Sequence, residues 1–75
     1  MDIEIYTRDG CSYCDMAKEL IKSKTMSYME YNIGHDPKYK NKLLERAPDV
    51  RTLPQIFIRG QHIGGYKELS ENYNI

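Results

Sequence analysis

Apolar and polar residues alternate through Ile3-Glu4-Ile5-Tyr6-Thr7, the period-2 pattern of a strand. After the turn Arg8-Asp9-Gly10 the period lengthens. Tyr13, Met16, Ala17, Leu20 and Ile21 recur at helical spacing and predict a helix from Ser12 to about Ser23. Lys22 and Lys24 suit its negative C-terminal dipole end. Tyr28 to Ile33 alternates again, with Met29, Tyr31 and Ile33 on one face and Glu30 and Asn32 on the other. Gly34-His35 breaks this strand, and Asp36-Pro37 starts a second helix: aspartate caps free N–H groups and proline fits the first helical position. Tyr39, Leu43 and Ala47 give that helix its buried stripe, Lys38, Lys40 and Lys42 its solvated face, and Pro48 its end.

Thr52-Leu53-Pro54 leads into Gln55-Ile56-Phe57-Ile58, a short strand rich in β-branched and aromatic residues. Arg59-Gly60 is a tight turn and Gln61-His62-Ile63 the returning strand of a hairpin. After Gly64-Gly65 a last helix runs from about Tyr66 to Tyr73, anchored by Leu69 and Tyr73. The order strand, helix, strand, helix, strand, strand, helix predicts an α/β fold. Its first two strands should be parallel with a right-handed crossover, and the hairpin antiparallel.

Residues 1–75 are expected to form a single domain. A chain of this size buries only ~60–65% of its unfolded surface, so the core is modest. Its two cysteines lie three positions apart, too close for a bridge between them to remove much chain entropy. Packing must hold the fold and leave the cysteines for chemistry, which suits a reducing compartment. The start Met1-Asp2-Ile3-Glu4 has no basic or apolar signal character, and the longest strictly apolar run is Ile56-Phe57-Ile58. Eleven basic residues balance eleven acidic ones, so no global field points to nucleic acid or membrane. A cytoplasmic protein is expected.

The chemistry gathers at Cys11-Ser12-Tyr13-Cys14, where strand hands over to helix. Unpaired N–H groups and the positive dipole end favour an anion at a helix mouth, and the thiolate is the nucleophilic form of cysteine. A pKa lowered from ~8.5 to ~7 would raise the reactive fraction near neutrality from a few per cent to about half. Cys14, nearly one helical turn on, can reach the sulfur of Cys11. Cys11 should be exposed and Cys14, inside the first turn, more buried. Zinc is set aside: there is no second cysteine pair, and His35 and His62 stand 27 positions apart, unlike a close ligand pair.

Three motifs in order, Tyr6-Thr7-Arg8 before Cys11-Ser12-Tyr13-Cys14, then Thr52-Leu53-Pro54-Gln55-Ile56-Phe57-Ile58, then Gly64-Gly65, resemble a glutaredoxin over nearly the whole chain. The resemblance implies the thioredoxin-like fold, a four-stranded mixed sheet flanked by three helices, with a cis peptide bond before Pro54. It implies a glutathione-dependent disulfide oxidoreductase in which Cys11 and Cys14 are catalytic. Glutathione would then be held by Arg8, Tyr13, Thr52, Leu53, Pro54, Gly64, Gly65, Tyr66 and Lys67. Among these, Leu53 would pair with the ligand backbone, and the Gly65-Tyr66-Lys67 helix start would hold the γ-glutamyl carboxylate, as helix N-termini hold anions generally. Many relatives carry proline at the Ser12 position and an acidic residue at that of Lys67; a lysine attracts a carboxylate but accepts nothing from an ammonium.

Glutathione is thus expected as co-substrate, disulfide-containing or glutathionylated proteins as partners, and a monomer as the working state, with no metal required. Two other functions remain open on the same residues. One is an iron–sulfur carrier in which two chains each give Cys11 and two glutathione thiols complete the ligands. The other is an electron donor for ribonucleotide reductase that is itself reduced by thioredoxin reductase.

Overall fold

A computed structural model describes residues 2–73, in the order β1 (Ile3–Thr7), α1 (Ser12–Ser23), β2 (Met29–Asn32), α2 (Pro37–Arg46), β3 (Gln55–Ile58), β4 (Gln61–Gly64) and α3 (Tyr66–Asn72). The predicted elements are all present. The second strand and the last helix are shorter than expected, Tyr73 serving as the C-cap of α3. The strands form one sheet in the order β2-β1-β3-β4. β1 pairs with β2 in parallel, while β1–β3 and β3–β4 are antiparallel. Arg59 and Gly60 both have positive φ, 53° and 79°, as the tight turn of a two-residue hairpin requires.

Two apolar clusters lie on opposite faces of the sheet. Ile3, Ile5, Ile56 and Ile58 meet Ala17 and Ile21 of α1 and Leu69 of α3. Tyr6 and Phe57 meet Leu43 and Ala47 of the α2 segment. β1 is therefore covered on both sides, although its alternation resembles a strand with one wet face. The reason is Arg46: its guanidinium forms two bonds to the Glu4 carboxylate, 3.0 Å each, donates to the Tyr6 hydroxyl and lies 3.8 Å from the Phe57 ring centroid. This planar fork satisfies a half-buried acid, and the Glu4 bond holds the arginine charged.

The caps explain where the helices start. Asp36 accepts a bond from the Lys38 amide at 2.9 Å, with Pro37 in the first turn. The inward stripe of α1 is Cys14, Ala17 and Ile21; Tyr13 and Met16, which fit the helical spacing, are exposed. A shift of one position around the helix accounts for this, because Cys14 is the residue that enters the core. No helix among the described residues is long and apolar enough to cross a membrane.

Candidate active site

Cys11 is the N-cap of α1, in extended conformation with φ −107° and ψ 104°. Its Sγ accepts the Cys14 N–H at 3.1 Å, so the sulfur itself takes the place usually held by a capping oxygen. The two cysteines form a disulfide with their Cα atoms 5.2 Å apart. Cys14 is wholly buried. Cys11, expected to be exposed, is 8% accessible in this disulfide state. The predicted order holds and the predicted degree does not, because the Leu53 carbonyl oxygen stands 3.6 Å from Cys11 Sγ and roofs it. With the disulfide formed this is a contact; a reduced thiol at the same place has a proton to donate.

The Leu53–Pro54 peptide bond is cis, as the resemblance implies. Pro54 is buried and Leu53 half-buried, packing against the Tyr6–Phe57 cluster. Around Cys11 opens a cleft of about 620 Å³ whose walls include Arg8, Tyr13, Thr52 and Leu53. Ile33, Leu43, Leu44 and Val50 give it an apolar lining, and Lys40 and Arg51 line it as well. Neither cation was singled out from the sequence. Lys40 belongs to a solvated helix face by pattern, and only the packing of α2 brings it to the sulfur side.

The other expected binding residues stand at the start of α3. Gly65 is the N-cap, and a Cβ there would come 3.3 Å from the Pro54 carbonyl oxygen, which ties this mouth to the Pro54 loop. Gly64 has φ 117°, and a Cβ there would meet the Glu68 side chain at 2.8 Å, so glycine is required twice over. Tyr66 reaches toward the dithiol by ring contact with Tyr13, centroids 6.0 Å apart. Lys67 is exposed. Gly64, Gly65, Tyr66 and Lys67 do not line the Cys11 cleft; they form a second group beside it. Glu68, which was not expected there, accepts the Gly65 N–H at 2.8 Å, and that backbone bond holds its carboxyl below the usual glutamate range. A glutamate three residues after the cap is the signal that could have identified it.

A polar hollow of about 650 Å³ lies on the far side of Arg8, lined by Asp9, Asp15, Lys18, Glu30, Asn32 and His35 among others. It contains no sulfur, and its charges are largely matched internally. Burial pushes the Glu30 carboxyl up, but bonds from Thr7 (2.7 Å) and Lys18 (3.0 Å) outweigh this and leave it lowered. Asp9 accepts from Asn32 at 2.9 Å and faces His35 at 3.3 Å. The dithiol cleft is where bond-making chemistry is possible. Among the described residues no three or more of His, Cys, Asp and Glu cluster as metal ligands would.

The glutaredoxin family model matches residues 3–63. Glutaredoxin 3 of Escherichia coli is 41% identical over 68 residues, covering 91% of this chain and 81% of that protein. Glutaredoxin 1 from Francisella tularensis, solved in complex with cacodylate, superposes with a TM-score of 0.78 at 35% identity, over 95% of this chain and 90% of that one. A buckwheat glutaredoxin–glutathione complex gives a TM-score of 0.80 at 26% identity, over 92% of this chain and 64% of that one.

Proposed function

Because the chain belongs to the glutaredoxin family of thiol–disulfide oxidoreductases, we propose that it uses glutathione as its electron donor, with Cys11 as nucleophile and Cys14 as resolving thiol. The observation that carries this reading is the placement of Cys11 Sγ. It receives an amide at the mouth of α1 and opens on a cleft whose lining includes Arg8, Lys40 and Arg51. Glutathione is a tripeptide with two carboxylates and one thiol, and a thiolate site ringed by cations suits such a ligand.

In the reduced enzyme the Cys11 thiolate attacks the glutathione sulfur of a glutathionylated protein. A bond forms between Cys11 and glutathione, the old disulfide breaks, and the protein thiolate leaves and takes a proton from water. A second glutathione thiolate then attacks the glutathione sulfur on Cys11. Oxidised glutathione departs and the Cys11 thiolate is restored. For a protein disulfide, Cys11 forms the mixed disulfide with the protein and Cys14 attacks Cys11, yielding the bond present in this structure. Arg8 attracts a ligand carboxylate, the Thr52-Leu53-Pro54 backbone pairs with the ligand main chain, and Tyr13 covers it. The Gly65-Tyr66-Lys67 helix start takes the γ-glutamyl carboxylate through the N–H groups of Tyr66 and Lys67, the Gly65 N–H being held by Glu68. The working partners are disulfide-containing or glutathionylated proteins.

The deciding assay compares two electron sources on one disulfide substrate. Turnover should proceed with glutathione and glutathione reductase. Turnover only with thioredoxin reductase would overturn the glutathione assignment and favour a redoxin that serves a reductase.

A further inference from the structure

Gln55 and His62 are connected in a way the redox chemistry alone does not require. Gln55 opens β3 and is 6% accessible, so both ends of its amide need partners. Its Nε2 donates to the Thr52 carbonyl oxygen at 2.9 Å, and its Oε1 lies 2.7 Å from His62 Nε2. The amide cannot be turned over, since Oε1 would then face the Thr52 oxygen, acceptor against acceptor. Gln55 Oε1 only accepts, so His62 Nε2 carries the proton and donates it.

His62 is aimed at this partner by the strand pairing. Ile56 pairs with Gly64 and Phe57 with His62, so β4 carries one extra residue, Ile63, at that point. The irregularity sends Ile63 into the α1–α3 core while His62 lies against the Phe57 ring, centroids 4.8 Å apart. Phe57 is itself held on Arg46 at 3.8 Å. The histidine is thus fixed by a ring contact and spends its N–H on Gln55.

We propose that His62 is a positioning residue, acting through Gln55 on the Thr52 carbonyl and so on the Leu53 backbone that stands over Cys11. The line of contacts runs His62 Nε2–H to Gln55 Oε1, Gln55 Nε2–H to Thr52 O, and then one residue along the chain to Leu53 O, 3.6 Å from Cys11 Sγ. His62 touches neither sulfur nor ligand; it sets the wall against which the ligand backbone lies. The idea rests on the glutathione reading for its kinetic consequence but not for its structural one.

His62→Phe keeps the ring on Phe57 and removes the donor; His62→Gln keeps a donor. With a glutathionylated peptide as substrate, His62→Phe should raise KM about fivefold, the effect of one ordinary hydrogen bond, with kcat within about twofold of wild type. His62→Gln should restore KM. Gln55→Glu, which when ionised cannot donate to Thr52, should raise KM at least as much at pH 8, and it carries the test should His62→Phe not fold. Order parameters of the Thr52 and Leu53 amides, measured by NMR without glutathione, should fall in His62→Phe and Gln55→Glu and recover in His62→Gln. Unchanged order parameters in both disrupting variants would overturn the proposal. So would a rise in KM of His62→Phe that His62→Gln fails to reverse. A wild type that does not prefer the glutathionylated peptide over a cysteinylated one would remove the glutathione reading and leave the order parameters to judge His62.

Discussion

At the start of α1 the N–H of Cys14 meets a sulfur, Cys11 Sγ, at 3.1 Å; at the start of α3 the N–H of Gly65 meets a carboxylate, Glu68 Oε1, at 2.8 Å. Both helix ends adjoin the Pro54 loop, and both satisfy amides that a helix cannot satisfy internally. In α1 the capping atom is the reacting atom. Negative charge on the reduced sulfur is stabilised by the same amide that starts the helix, and in the disulfide that amide still bonds to the sulfur. In α3 the cap is a permanent side chain that takes no part in the chemistry. The difference shows how one backbone device serves reactivity in one place and helix stability in the other.

The largest effects are expected at the cysteines of α1. Cys11→Ser should abolish all turnover, since a serine hydroxyl is not a nucleophile toward disulfides. Cys14→Ser should keep deglutathionylation and lose reduction of protein disulfides. Equal loss of deglutathionylation in both variants would rule out the division of labour.

A smaller effect is expected from the exposed cations. Lys67→Glu should weaken the apparent affinity for glutathione a few-fold, in keeping with ~0.2–1 kcal/mol for an exposed charge contact. Raising salt should weaken it as well, because the Debye length is ~8 Å at physiological ionic strength. Iodoacetamide alkylation of Cys11 in the Lys67 variant should match wild type, as that lysine is not at the mouth of α1. Salt-independent glutathione kinetics would remove the electrostatic roles of Arg8 and Lys67.

The smallest effect should be one of stability, confined to α3. The folded Glu68 carboxyl titrates below its unfolded value of 4.5 because the Gly65 amide bonds to the charged form. Its contribution is therefore fully present above about pH 4.5 and is lost as pH falls through the folded value. Thermal unfolding of Glu68→Gln against wild type should show a Tm deficit at pH 7 that shrinks on acidification. A constant difference between pH 7 and pH 3 would contradict the charged cap.

Local signals were legible in the sequence because their causes are local. Asp36-Pro37 caps and starts α2, Arg59-Gly60 makes the hairpin turn, and Ser12–Ser23 is helical as its period requires. What escaped depends on contacts distant in the chain. Glu4 looked like a solvent-facing strand residue until Arg46, 42 positions on, covered that face. Tyr13 and Met16 fit the apolar period of α1 yet are exposed, while Cys14, expected to be the more buried cysteine, is in the core. Lys40 and Arg51 reach the sulfur cleft only through the placement of α2 and the loop after it. The Gln55–His62 bond needs the extra residue in β4, which alternation does not announce.

On this mechanism Cys11 takes the glutathione half of a mixed disulfide. The Cys14→Ser variant, reduced and mixed with a glutathionylated peptide, should trap that intermediate because no resolving thiol remains. Intact-protein and peptide-map mass spectrometry should find glutathione on Cys11 and the peptide released as free thiol. The peptide on Cys11, with free glutathione in solution, would contradict this mechanism.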